Sequence, residues 1–149
     1  MNALTRTFTV DGADFSRAGE ASAQIKSLLK ALGMDPDVTR RASVSAYEAE
    51  INMVIHADGG QILLTVTPEA IDMVFEDTGP GIPDVKLAMQ EGWSTAPRDV
   101  VALGFGAGMG LPNIYKYSDE FQLDTTVNVG TTLKIRFFTG KAAVYNHVQ

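Results

Sequence analysis

The chain has 149 residues, 45% of them hydrophobic and 20% charged, a composition that suits one globular domain, 1–149, with a substantial core. A net charge of −6 and a pI near 4.8 argue against broad nucleic-acid or anionic-membrane binding and leave room for a partner with a basic face. The absence of cysteine excludes disulfides, thiolate zinc sites and thiol nucleophiles. No basic and apolar leader opens the sequence and no apolar run approaches the roughly 18 residues of a membrane helix, so the expectation is a cytoplasmic protein without a membrane partner.

Thr5 to Val10 is β-branched and mildly alternating and ends at Asp11-Gly12, which predicts a strand closed by a turn. Asp14 can cap a helix in which Phe15, Ala18, Ile25, Leu28, Leu29 and Leu32 fall near helical spacing up to Gly33. Asp35-Pro36 opens a second helix to about Ala57, with Val44, Tyr47, Ile51, Val54 and Ile55 available for its apolar side. Asp58-Gly59-Gly60 breaks it. Gln61 to Thr67 and Ile71 to Glu76 then read as a hairpin around Pro68-Glu69-Ala70. After a turn from Asp77 to Pro83 and a short helical piece, Val85 to Met89, the stretch from Gly92 to Leu103 loses periodicity and predicts a long loop. Leu111 to Tyr117 is helical in pattern. Glu120 to Val127 and Thr131 to Phe138 form a last strand pair around Asn128-Val129-Gly130, and the tail 139–149 carries little pattern. Together these predict an α+β two-layer sandwich, with helices on one face of a mixed, mostly antiparallel sheet.

Three stretches carry candidate chemistry. Glu48, Asn52 and His56 recur every four residues, so they line one face of the second helix. A carboxylate and a carboxamide oxygen are hard ligands of the kind magnesium takes. Asp77 ends an apolar strand directly before Thr78-Gly79-Pro80-Gly81-Ile82, where a carboxylate can accept from an exocyclic amine and a glycine turn admits a flat ring. Gly104-Phe105-Gly106-Ala107-Gly108-Met109-Gly110 leads straight into a helix, and successive free N–H groups there suit phosphate. Each stretch alone has a plain structural explanation: a solvated helix face, a strand-ending turn, a glycine-rich loop. No P-loop sequence occurs. The glycine run also fails the dinucleotide fingerprint, because the third glycine would fall on Met109 or Leu111.

In that order, Glu48-x-x-x-Asn52, Asp77-x-Gly79-x-Gly81-Ile82 and the run ending at Gly110 resemble the N, G1 and G2 boxes of the Bergerat-fold (GHKL) ATPases. That superfamily includes gyrase, histidine kinases and MutL. The small size, the stretch Leu87 to Thr95, the stretch Gly108 to Asn113 followed by Asp119-Glu120-Phe121, and Gly130-Thr131-Thr132 resemble the bacterial serine/threonine kinases of the anti-sigma-factor group. Among these the chain is most similar to the switch kinases of stress-signalling complexes, over roughly residues 5–138.

The resemblance implies ATP and Mg²⁺ as cofactors. Asn52 would hold the metal and Glu48 would be the general base for a substrate hydroxyl. Asp77 would bond the adenine amino group, with Gly79, Gly81 and Ile82 shaping that wall and Thr132 supporting it. Gly104, Gly106, Gly108, Met109, Gly110 and Leu111 would form the phosphate side. The Gly92–Leu103 loop would be the lid, with Arg98 its only fixed positive charge and a candidate contact; His56 matches a histidine frequent in the group. The implied substrate is a STAS-domain protein, an anti-sigma-factor antagonist or stressosome-type scaffold. A sigma factor or a downstream phosphatase is a further implied partner, and a homodimer is left open. The alternative output is an anti-sigma factor that acts by sequestration, and a nucleotide-binding domain without catalysis is a third.

Overall fold

The computed structural model describes residues 3–12, 15–57, 59–82, 84–89 and 110–139. In chain order the elements are β1 (Leu4–Asp11), a 3₁₀ turn (Phe15–Arg17), α1 (Glu20–Ala31), α2 (Pro36–His56), β2 (Gly59–Val66), β3 (Ala70–Asp77), α3 (Val85–Ala88), α4 (Gly110–Tyr117), β4 (Glu120–Thr126) and β5 (Gly130–Phe138). The strands form one sheet in the order β1-β2-β3-β5-β4. The sequence left room for a mixed sheet, but all four described ladders are antiparallel.

The two long helices start by different means. Asp35 caps α2 as its position suggests, its Oδ2 accepting from the N–H groups of Asp37 (3.1 Å) and Val38 (3.2 Å), with Pro36 opening the first turn. Helix α1 begins later than expected, at Glu20, after the 3₁₀ turn, and Asp14 lies outside the described residues. No side chain of its own caps it. Its orphan donors are met from α2: the buried Glu50 carboxylate accepts from Gly19 N (3.0 Å), Ala21 N (3.2 Å) and Ser22 N (2.8 Å).

Strand alternation sorts the sheet into two faces. Ile62 and Leu64 of β2, Ile71, Met73 and Phe75 of β3, and Leu133, Ile135 and Phe137 of β5 are buried beneath the helices. Ile25 and Leu29 of α1 and Ala42, Ala46, Ala49 and Met53 of α2 close the core from above. The alanines keep α2 low over the sheet, and α2 is accordingly buried around much of its girth. Asp77 continues the inward series Ile71-Met73-Phe75, so the apolar row delivers a carboxylate at its open end.

Glu50→Ala leaves three helix-terminal N–H groups without their acceptor. It is expected to lower unfolding free energy by about 2–3 kcal/mol. Urea unfolding followed by circular dichroism measures this, and an unchanged midpoint would show that solvent serves the α1 terminus equally well.

Candidate active site

Helix α2 presents Glu48, Asn52 and His56 as a half-buried row toward its C-terminal end. Burial raises the Glu48 pKa above its ordinary 4.5 and lowers that of His56 below 6.5, because both charged forms lose hydration. A carboxylate kept short of water is a stronger proton acceptor than one on the surface, which is the property a general base requires.

Two glycines set what lies next to that row. A Cβ at Gly79 would fall 2.6 Å from the Ala57 Cβ and 2.9 Å from its Cα, so only hydrogen fits between the turn after β3 and the end of α2. The Asp77 Oδ1 accepts from Gly79 N at 2.9 Å, which orients the carboxylate at this junction. Gly110, the first residue of α4, lies against Asn52, where a Cβ would stand 3.0 Å from Nδ2 and 3.2 Å from Oδ1. The N-terminus of α4 thus meets the carboxamide directly, while Leu111 in the same turn packs on the core. The end of β3, the second half of α2 and the start of α4 therefore converge.

The turn carrying Gly79 and Gly81 is held from the opposite side by the β4–β5 hairpin. Ile82 N donates to Thr125 Oγ1 (2.8 Å), Asn128 N donates to Pro80 O (2.8 Å), and the Thr125 and Thr131 hydroxyls are 2.9 Å apart. Thr132, the expected support of this wall, has the outward phase of β5 and pairs with Glu76 and Asp124, whereas Thr131 is the register partner of both Asp77 and Thr125. Parity explains it, since Thr131 shares the inward phase of Leu133, Ile135 and Phe137 and Thr132 does not. The same parity, read back from the buried residues of β5, was the signal that could have found Thr131, and Phe121-Leu123-Thr125 could have found Thr125.

Arg98, Gly104, Gly106, Gly108 and Met109, with the Gly92–Leu103 loop, lie outside the described residues. Among the described residues no cluster of three His, Asp or Glu side chains forms a metal cage. Asn52 offers a single hard oxygen beside the N-terminus of α4. That donor set fits Mg²⁺ held mainly by phosphates and water, with one protein ligand. No helix of the described residues is long and apolar enough to cross a membrane.

Two measurements probe this geometry. Thr125→Val removes the acceptor of Ile82 N–H, and amide exchange at Ile82 is expected to quicken by about tenfold while the core amides hold. Glu48→Gln is expected to raise Tm at pH 7 by roughly a degree or two, because it removes a charge that burial disfavours. With the folded pKa above the unfolded one, that cost exists at neutral pH and disappears as the pH falls through the folded value toward 4.5. The Tm difference should therefore shrink on acidification. A difference independent of pH would remove burial of the Glu48 charge as its cause.

Comparison with known proteins identifies the family of the domain. Residues 13–137 match the histidine kinase-like ATPase domain family. The chain is 29% identical over 113 residues to the serine/threonine-protein kinase RsbT of Bacillus subtilis, covering 73% of this chain and 79% of that one. It is also 29% identical over 115 residues to the anti-sigma F factor of Caldanaerobacter subterraneus, covering 72% and 77% respectively. Among solved structures it superposes on that of the RsbU and RsbW domains of Rv1364c from Mycobacterium tuberculosis with a TM-score of 0.60 at 17% identity. That match covers 93% of this chain but 34% of the larger one, so it bears on the fold alone. The mycobacterial sensor histidine kinase MprB matches at a TM-score of 0.52 and 14% identity, over 91% and 98% of the two chains. With the larger part of its length matched, the chain belongs to the histidine kinase-like ATPase domain family.

Proposed function

We propose that this chain is a cytoplasmic, ATP- and Mg²⁺-dependent protein serine/threonine kinase, a single ATP-binding domain acting on a STAS-domain regulatory protein in sigma-factor or stress signalling. The observation that carries the proposal is the half-buried Glu48 one helical turn before Asn52, where Gly110 opens α4. Similarity to the kinase RsbT supports the choice of reaction.

Phosphoryl transfer asks little covalent chemistry of a protein; it asks for alignment and for neutralisation of phosphate charge. The Asp77 carboxylate, held by Gly79 N–H and facing Thr131, would accept from the exocyclic amine of adenine. The first-turn N–H groups of α4 would donate to phosphate oxygens. Asn52 Oδ1 would hold Mg²⁺, which when bound screens the phosphate charge. Glu48 would accept the proton of a serine or threonine hydroxyl as that oxygen bonds to the γ-phosphorus. The bond from phosphorus to the β–γ bridging oxygen breaks, ADP leaves, and the proton remains on Glu48 until solvent takes it.

A second reading has its own support, because three anti-sigma F factors are among the similar proteins. On that reading the output is capture of a sigma factor, with nucleotide binding serving the capture. Incubation with radiolabelled ATP, Mg²⁺ and candidate STAS proteins separates the two. Transfer of label to serine or threonine supports the kinase, whereas capture of a sigma factor without label transfer favours sequestration.

Two variants test the assignments. Glu48→Gln should retain ATP affinity within about twofold and lose transfer by 10²-fold or more, on the order expected for a positioned base. Undiminished transfer would take Glu48 out of the mechanism. Asp77→Asn should weaken ATP binding by about tenfold or more, since the amide offers a donor where the amine needs an acceptor; wild-type affinity by calorimetry would defeat the adenine assignment.

A further inference from the structure

Helix α4 is eight residues long, about 12 Å, and runs antiparallel to α2. Its first residue lies on Asn52, and its last meets Arg41, eleven positions earlier on α2. Arg41 stands out chemically: its side chain is only 10% exposed although it carries a permanent charge. Its Nη1 donates to the backbone carbonyl of Tyr117 at 2.9 Å, one of the α4 carbonyls that no helical N–H can reach. Its Nε donates to Asp37 Oδ2 at 3.0 Å, and Nη1 lies 3.8 Å from Asp119 Oδ2. The guanidinium also sits 5.9 Å from the centroid of the Phe137 ring. Asp119 in turn accepts from Phe138 N (2.8 Å) and donates its own N–H to Arg136 O (2.9 Å). One buried cation thus ties the C-terminus of α4 to α2, to the α4–β4 junction and to β5.

We propose that Arg41 is a positioning residue for nucleotide phosphate, fixing α4 along its own axis so that the helix begins in register with Asn52. This inference rests on the nucleotide-binding reading above. A helix this short behaves as a rigid rod, so a shift at Tyr117 is delivered in full at Gly110. The fork geometry of the guanidinium holds three partners at once, which a lysine ammonium on its flexible stem cannot reproduce. A cation at this helix end also complements its dipole, in the sense that favours an anion at the other. Arg40 adds a second, exposed hold, its guanidinium 5.5 Å from the Tyr117 ring centroid.

The test compares ATP with adenosine, since only ATP carries the phosphates that α4 would receive. Calorimetry measures ATP and ligand-observed NMR measures adenosine, at a temperature where circular dichroism shows every variant folded. Arg41→Met is expected to weaken ATP binding by about tenfold and leave adenosine within about twofold, an effect of the size seen when supporting contacts of a site are lost. Arg41→Lys should recover part of the ATP affinity. Leu29→Ala, which opens the core beneath α1 away from α4, controls for general loss of stability and should change the ATP-to-adenosine ratio little. If Arg41→Met does not fold, Asp119→Asn carries the same comparison with a smaller expected loss, about threefold, because it withdraws one anionic partner and keeps an acceptor for Phe138 N–H. Equal losses for ATP and adenosine, or an unchanged ATP affinity, would overturn the role given to Arg41. Failure of the unaltered chain to bind ATP would overturn the nucleotide reading itself.

Discussion

The contact on which the site depends most is the approach of Gly79 to Ala57. Nothing larger than hydrogen fits there, so the turn after β3 is pressed onto the end of α2 and Asp77 is fixed relative to Asn52 and His56. Two elements that could each vary by an ångström are reduced to one body. The hairpin of β4 and β5 completes the grip from the far side, through Thr125, Asn128 and Thr131. That grip takes hold of the turn by its backbone, at Ile82 N–H and Pro80 C=O, so it constrains the path of the chain while, among the described residues, the Asp77 carboxylate is engaged only through Oδ1 with Gly79 N–H.

Helix α2 divides its circumference among several tasks. Its small residues meet the sheet, Glu50 serves the α1 terminus, Arg41 serves the α4 terminus, and the row Glu48, Asn52 and His56 turns toward the site. Charges are buried in each polar role, yet they are treated differently. Glu50 accepts from three backbone N–H groups and Arg41 is held by Asp37, Asp119 and the Tyr117 carbonyl, which makes their burial structurally useful. Glu48 and His56 are pushed toward their neutral forms, so the fold works against them. Residues that strain stability and sit where elements converge are the usual mark of a functional site.

Much of this was legible in the letters. Asp35-Pro36 announces the start of α2, four-residue spacing puts Glu48, Asn52 and His56 on one side, and an apolar strand ending in Asp77 implies an inward carboxylate. What was hidden is tertiary in origin. The cap of α1 comes from Glu50, about thirty residues onward, and no local signature records such a bond. Arg41 reads as one of two neighbouring arginines near a helix start, and only the return of α4 distinguishes it from Arg40. Thr131 is hidden in the same way: the string Gly130-Thr131-Thr132 does not say which threonine turns inward, and only the alternation of β5 carried back to its first residues does.

The strand order has a consequence for when the site can exist. β5 lies between β3 and β4, and it supplies the ladder beside Asp77 as well as Thr131 opposite it. It is also the last described strand, so during synthesis β3 waits with one edge open until residue 138 has left the ribosome. Glu48 and Asn52 emerge nearly ninety residues before that point. On the proposed reading, a nascent chain would carry its candidate base and metal ligand long before its adenine wall is complete, and the nucleotide pocket would be assembled at the end of folding.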